Sequence, residues 1–290
     1  MSPRPPCSRR STPGGFEPPA PPGRKGEPPS NNQQPSTVLI DLNLDAGERP
    51  EAIADHSERE LLALVSSVNI ACGGHAGDEA TMAATLELAR ALGVACGAHP
   101  AYPDRARFGR ASLGLSPEAI AAAVEEQLAA LDRVAAWLGI PLAHVKPHGA
   151  LYTDAARDPA VAAAVARGAA RWRERVRLVG LAGSSCLEVY QRAGFAVLAE
   201  AFAERRYEAD GTLRARAFAD AVIHDPGEAA AQAVRIARRH EVVAAGGAVV
   251  AVRADTLCIH SDSPAALVVA RAVRQALERA GVTVTAFDRR

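Results

Sequence analysis

From Ser36 onward, short runs rich in β-branched and other apolar residues alternate with longer Ala-, Leu-, Glu- and Arg-rich runs of helical period. Alternation of this kind marks repeated strand–helix units around a parallel sheet. It predicts strands over 37–44, 65–72, 94–99, 143–147, 177–182, 196–201, 248–252, 256–260 and 282–286. It predicts helices over 57–64, 78–92, 116–138, 158–173, 184–193, 226–240 and 264–280. Punctuation agrees. Asp158-Pro159 and Asp225-Pro226 each place a capping acceptor before a proline at the first helical position, and Glu228 can complete a capping box with Asp225. Four helices end at a glycine followed by an apolar strand residue, at Gly93, Gly139, Gly194 and Gly281.

Polar residues gather where the strands end. The strand ends read Asp41-Leu42-Asn43-Leu44-Asp45, Gly73-Gly74-His75, Gly97-Ala98-His99, Lys146-Pro147-His148, Glu200 with Glu204, and His260-Ser261-Asp262. In β/α barrels the active site forms at the C-terminal ends of the strands, so these residues are expected to converge on one mouth.

Residues 1 to 36 break the pattern. They hold over half of the chain's 20 prolines and almost no large apolar residue. Such a segment buries too little surface to offset its ordering entropy, so a disordered tail is expected before a barrel domain over 37–290. It lacks the apolar core of a signal peptide; a targeting leader is the competing interpretation. The formal net charge of zero gives no reason to expect nucleic acid or an anionic membrane as partner. No apolar run nears the roughly 20 residues of a spanning helix. Five scattered cysteines without a CxxC pair argue for a reducing compartment, and the chain is expected in the cytoplasm. Composition also singles out residues. Among 33 basic residues only Lys25 and Lys146 are lysines, and beyond the tail only Asn43 and Asn69 are asparagines. A coding bias that removes Lys and Asn leaves them where no substitute works, which points at Lys146, Asn43 and Asn69.

On the first strand, side-chain alternation puts Val38, Ile40, Leu42 and Leu44 on one face and Asp41, Asn43 and Asp45 on the other. Asp41 and Asp45 can divide the tasks of metal ligand and general base; an ordinary turn at Asp45-Ala46-Gly47 is the plainer alternative. His75 and His99 follow glycine-rich strand ends that let a ligand approach the backbone. Asp78 could simply cap the next helix. Lys146 and His148 share strand parity; Lys146 can bind a carboxylate or stabilise an oxyanion, while His144, deeper on the same face, is expected to be structural. His260 ends a late strand. Glu200, Glu204, Arg205, Arg206 and Tyr207 make up a charged segment, by default a solvated loop, with Arg206 as a candidate carboxylate binder. Asp45, His75 and His99 could hold a divalent metal that activates water, or such groups could act by acid–base catalysis alone. No HExxH, Walker-type or GxGxxG pattern occurs, so the chain carries no zincin motif and no visible ATP site.

At these segments the chain resembles the LamB/YcsF family, which supplies the A subunit of bacterial 5-oxoprolinases. The matching stretches are DLNLDAGE (41–48), SVNIACGGHAGD (67–78), GVACGAHPAYPD with FGR (93–110), HVKPHGALY (144–152), VGLAGS (179–184), EAFAERRYEADGTLRAR (200–216), AVIHDP (221–226) and RADTLCIHSDSP (253–264). Gly74 stands where that family usually carries Phe, and Ala46-Gly47 where it usually reads Leu-Gly. The resemblance implies a distorted (β/α)7 TIM-like barrel similar to the glycoside hydrolase/deacetylase superfamily. It implies cleavage of 5-oxo-L-proline to L-glutamate with ATP hydrolysis, in a complex with B and C subunits that bind or help to bind the ATP. On this basis Asp41, Asp45, His75, Lys146 and His148 are the candidate catalytic residues. Asn43, Asn69, His99, Arg206 and His260 are the candidate substrate-binding residues. A metal-dependent deacetylase or amidohydrolase acting on a carbohydrate or another lactam, and a non-catalytic regulatory subunit for lactam utilisation, are the alternatives; homo-oligomerisation stays open.

Overall fold

The computed structural model describes residues 38–261 and 265–287. The expected tail over 1–36 and Asp262, the last residue of the His260-Ser261-Asp262 strand end, lie outside the described residues. Strands β1 (Val38–Ala46), β2 (Ser67–Ala71), β3 (Ala95–His99), β4 (Leu142–Val145), β5 (Arg177–Leu181) and β6 (Val197–Phe202) pair in sequence order, all parallel. The next two, β7 (Glu241–Val243) and β8 (Val249–Ala251), pair only with each other, antiparallel. Strand β9 (Thr256–Ile259) pairs with β6 on one side and with β1 on the other, so seven parallel strands close into a barrel. Closure removes the exposed sheet edge.

The distortion lies at β1. Its first half, Val38–Ile40, pairs with β10 (Val282–Val284), and only its second half, Asp41–Leu44, pairs with β9. The last strand therefore fills the seam at the bottom of the barrel and leaves the top to the seven.

Helices cover the outside: α1 (Pro50–Ala54) and α2 (Ser57–Leu62) after β1, α3 (Glu79–Leu92) after β2, α4 (Pro117–Leu138) after β3, α5 (Gly149–Arg157) and α6 (Pro159–Gly168) after β4. Then come α7 (Cys186–Arg192) after β5, α8 (Pro226–Arg239) after β6 and α9 (Ala266–Arg279) after β9. The outward face of β1, with Ile40, Leu42 and Leu44, is buried in the layer between barrel and helices. The expected N-cap acceptors form, but the expected capping box of Asp225 with Glu228 does not, because the Glu228 carboxylate binds Arg206. Asp158 accepts from Ala160 N and Asp225 from Glu228 N, while Asp78 and Thr81 make a reciprocal capping box. Asp78 is thus a helix cap.

Several elements differ from expectation, among them the unexpected short helix α1. The run 248–252 is no barrel strand; β7 and β8 fold back on each other around Gly246-Gly247, because two three-residue strands joined by glycines make a hairpin more readily than a wall. The helix α5 starts directly after His148, where the polar motif that precedes it masks the helical period.

Close approach explains one strand glycine. A Cβ on Gly97 of β3 would lie 2.3 Å from His144 Nε2 and 2.4 Å from two ring carbons. Gly97→Ala is therefore expected to cost about 1–3 kcal/mol by overpacking, measurable as a lower urea midpoint; an unchanged midpoint would show that the ring is free to move.

Candidate active site

The inward residues of the strands stack in layers up the barrel. Lowest is Asp41, which accepts from the hydroxyls of Ser66 (2.7 Å), Ser67 (2.7 Å) and Thr256 (2.5 Å). Above it sits Asn43, whose amide donates to Glu200 Oε1 (2.9 Å) and Thr256 Oγ1 (2.7 Å). Its oxygen accepts from Asn69 (2.8 Å) and Lys146 Nζ (3.2 Å). Asn69 donates also to Asp45 Oδ1 (2.8 Å) and accepts from His144 Nε2 (2.7 Å). Each position uses an NH2 group that donates to more than one acceptor and an oxygen that accepts, a combination that the short primary amide of asparagine supplies.

Lys146 Nζ reaches Asp45 Oδ1 (3.0 Å), Glu200 Oε1 (2.9 Å) and Cys258 Sγ (3.1 Å). Burial opposes its charge, but Asp45, Cys258 and Glu200 together hold its pKa well above the usual lysine value. Burial likewise works against the Asp45 carboxylate; His99 and Lys146 outweigh it and hold that carboxyl well below the usual range. Asp41, Asp45 and Glu200 are all buried within the barrel around one lysine.

At the mouth, His75, His99 and His148 gather around Glu48, with one donor atom from each of the four within 4.8 Å of the others. Glu48 Oε1 is 2.9 Å from His75 Nε2 and 3.4 Å from His148 Nδ1, and His99 Nε2 is 3.4 Å from Asp45 Oδ2. Backbone carbonyls set two tautomers. His99 Nδ1 donates to Lys146 O (2.7 Å) and His148 Nε2 donates to Phe108 O (3.0 Å). The remaining nitrogens, His99 Nε2 and His148 Nδ1, both carry lone pairs and face each other at 3.0 Å. Lone pairs at that separation repel unless a cation lies with them. Burial pushes the His75 pKa down to about 2 and drives His148 down as well, so protons bind poorly here. Nδ1 of His75 is buried without a hydrogen-bond partner. The donor set suits a divalent metal ion.

The loop that presents Glu48 is anchored from below. Glu58 accepts from Gly47 N (2.9 Å) and from Thr85 Oγ1 (2.8 Å), and burial raises its pKa.

A cavity of about 270 Å³ opens above these residues. Its lining includes Asp45, Glu48, His99, Lys146 and His148 from the strand ends, and Arg157, Arg205, Arg214 and Arg216 with His260 beside them. Arg110 lies over the Phe108 ring next to the histidines, and Arg214 is paired with Glu208 and Asp220. Arg205 is buried, donates to the carbonyls of Ala221 (3.3 Å) and Arg214 (2.7 Å), and has its pKa lowered to about 10 by burial.

The structure brings Asp45, His75, His99, Lys146, His148 and His260 together at the mouth. Asp41, Asn43 and Asn69 lie in the layers beneath it. Arg206 does not face the cavity; its guanidinium binds both oxygens of Glu228, at 2.7 and 3.1 Å, on the outer side. The default of a solvated loop fails for its neighbours, since Glu200, Glu204, Arg205 and Tyr207 are all buried. Sequence reasoning passed over Glu48, although it sits three residues beyond Asp45 in the same strand end. It also passed over Arg216, which bonds to His260, and Gln127, whose carboxamide holds Ala101 N and O. Gln127 accounts for Gly74: a Cβ there would lie 2.2 Å from Gln127 Oε1.

Comparison with known proteins agrees with the barrel and its motifs. A protein from Chloroflexus aggregans, named as the A subunit of 5-oxoprolinase, is 50% identical over 247 residues, covering 85% of this chain and 98% of that protein. Its namesake from Thermus thermophilus is 48% identical over 250 residues, covering 86% of this chain and 100% of that protein. The crystal structure of a lactam utilization protein from Thermus thermophilus matches with a TM-score of 0.80 at 48% identity, over 86% of this chain and 100% of that one. With the LamB/YcsF family model matching residues 40–290 as well, the chain belongs to the LamB/YcsF family.

Proposed function

We propose that this chain is the lactam-opening subunit of a 5-oxoprolinase, working with partner B and C subunits that supply the ATP chemistry. The observation that carries it is one cavity lined both by Glu48, His99 and His148, with His75 packed behind them, and by a group of arginines, the arginine wall. Arginines recognise carboxylates, and 5-oxoproline carries one beside its ring. The names of the relatives support the same substrate.

Glu48, His75, His99 and His148 would hold a divalent metal, which supplies polarisation of a carbonyl oxygen and activation of water. Asp45, kept ionised, lies 3.4 Å from His99 Nε2 and adds its negative charge to the surroundings of such an ion. Lys146 holds Asp45 and Glu200 in place. The arginine wall fixes the substrate carboxylate and so aims the amide at the floor. A lactam amide is a poor electrophile, and phosphorylation of its oxygen by a partner would make it open more readily.

The test is glutamate release from 5-oxoproline, with and without ATP, by this chain alone and with the B and C subunits. ATP-dependent release only in the full mixture is expected. The cluster also favours a second reading, a metal-dependent amidohydrolase or deacetylase. Amide cleavage by the metal-loaded chain alone, without ATP, would establish that one instead.

A further inference from the structure

We propose that His260, oriented by Glu204, carries the proton from the attacking water to the lactam nitrogen; this rests on the lactam-opening reading above. When water adds to the lactam carbon, a C–O bond forms and the C–N bond breaks; where a partner has phosphorylated the oxygen, this leaves an acyl phosphate, from which a second water releases phosphate and the glutamate carboxylate. One proton must leave the water and one must reach the nitrogen, because an amide anion is not a viable leaving group. A single group that accepts the first proton and returns it to nitrogen balances the step.

The other titratable groups in the cavity are already engaged: Asp45 is bonded to Lys146 and Asn69 and lies against His99, and Glu48 lies against His75 and His148. His99 and His148 have one nitrogen each bound to a backbone carbonyl and the other turned into the cluster. His75 lies stacked on His148, with ring centroids 3.6 Å apart. Lys146 is enclosed by Asp45, Glu200, Asn43 and Cys258. Tyr152 lines the cavity, but burial lifts its pKa well above the ordinary phenol value, so it neither accepts nor readily gives a proton.

His260 differs in each respect. One oxygen of buried Glu204, Oε1, accepts from its backbone N (2.6 Å) and from its Nδ1 (2.6 Å), which fixes both the residue and its ring. With Nδ1–H committed to a carboxylate, Nε2 carries the lone pair, and it accepts from Arg216 Nη2 at 3.2 Å. The Phe202 ring stacks on the imidazole at 5.7 Å and 16°. The support is rigid, since β6 and β9 are paired neighbours and Ala203 N still bonds to Cys258 O beyond the last paired residues. His260 also borders the cluster: a ring nitrogen lies within 4.8 Å of an Asp45 oxygen, and Asp45 in turn is 3.4 Å from His99.

The charged and titratable groups around His260 are Glu204 and Arg216 from the segment after β6, Asp45 from β1, Cys258 from β9 and Lys146 from the end of β4. Arg49 holds the next residue through Ser261 O (3.1 Å). Arg216 is exposed and belongs to the arginine wall, so a substrate carboxylate competes for it and uncovers Nε2.

The experiment is steady-state glutamate release by the assembled complex between about pH 5.5 and about pH 9, with wild-type, His260→Gln and Glu204→Gln chains. His260→Gln is expected to lower kcat by about 10²- to 10⁴-fold with KM little changed, and to remove the acid limb of the kcat profile. Glu204→Gln keeps an oxygen that can accept both bonds, so it folds. It is expected to lower kcat less and to move the acid limb to lower pH, because the charge favouring the imidazolium is gone. A purely structural role would shift the thermal midpoint and leave the acid limb in place. Wild-type kcat in His260→Gln, or an unmoved acid limb in Glu204→Gln, overturns the proposal and leaves the lactam reading standing. A wild-type complex without turnover overturns both.

Discussion

Lys146→Met is expected to destabilise the chain by about 3–5 kcal/mol, the range found when one partner of a buried ion pair is removed. The reason lies in what stays behind. Asp45 and Glu200 are buried side by side and share this one ammonium, at 3.0 and 2.9 Å. Methionine fills the stem's volume but leaves two carboxylates facing each other in low dielectric, each without its cation. Asn43 loses one of its two donors in the same substitution. Denaturant unfolding at neutral pH should show the loss as a lower midpoint. Adding Glu200→Gln to the Lys146→Met chain should restore part of it, since one uncompensated charge is then removed. Lys146→Arg is not a rescue, because a planar fork does not fit between Asp45, Glu200 and Cys258 as a compact ammonium does. A Lys146→Met chain within about 1 kcal/mol of wild type would mean that water already reaches these carboxylates and that the barrel centre is not a dry site.

This network is also where the sequence was most legible. Lys146, Asn43 and Asn69 stand out because the composition has removed almost every other lysine and asparagine, and the structure bonds all three together. The parallel barrel was legible for a similar reason: strand periods, capping prolines and terminal glycines are local signals, and the barrel strands and the longer helices carry them. The hairpin of β7 and β8 was not, because a three-residue apolar run carries no period that separates barrel wall from hairpin. Arg205 and Arg206 show the same limit. Adjacent in sequence and identical in type, they point to opposite sides, and only the register of the segment after β6 decides which one meets the cavity. Glu48 lies beyond the end of its strand, where alternation no longer tells direction. Its placement depends on Glu58 and Thr85, contacts that no local pattern encodes.

Stripped of metal and then titrated with zinc, manganese or cobalt, the chain is expected to bind about one equivalent tightly, and His99→Ala and His148→Ala are each expected to weaken that binding by about 100-fold or more. The size of the effect follows from preorganisation. Lys146 O and Phe108 O fix both imidazoles in the tautomers that turn lone pairs inward, so the ordering cost is met by the fold before any ion arrives. Truncating either ring removes a ligand and opens a buried space that the stacked His75 ring cannot fill alone. A metal also relieves what the polypeptide leaves unresolved: two lone pairs at 3.0 Å and an orphaned His75 Nδ1. Binding should therefore raise the thermal midpoint of wild type, by mass action on the native state, and raise it much less in either variant. This readout needs no turnover and no partner subunit. Calorimetry that finds no stoichiometric binding of any of the three ions, with wild-type thermal midpoints unmoved by metal, would leave the His99–His148 contact to be satisfied by a shared proton. The floor of the cavity would then be an acid–base site, and the amidohydrolase reading would lose its main support.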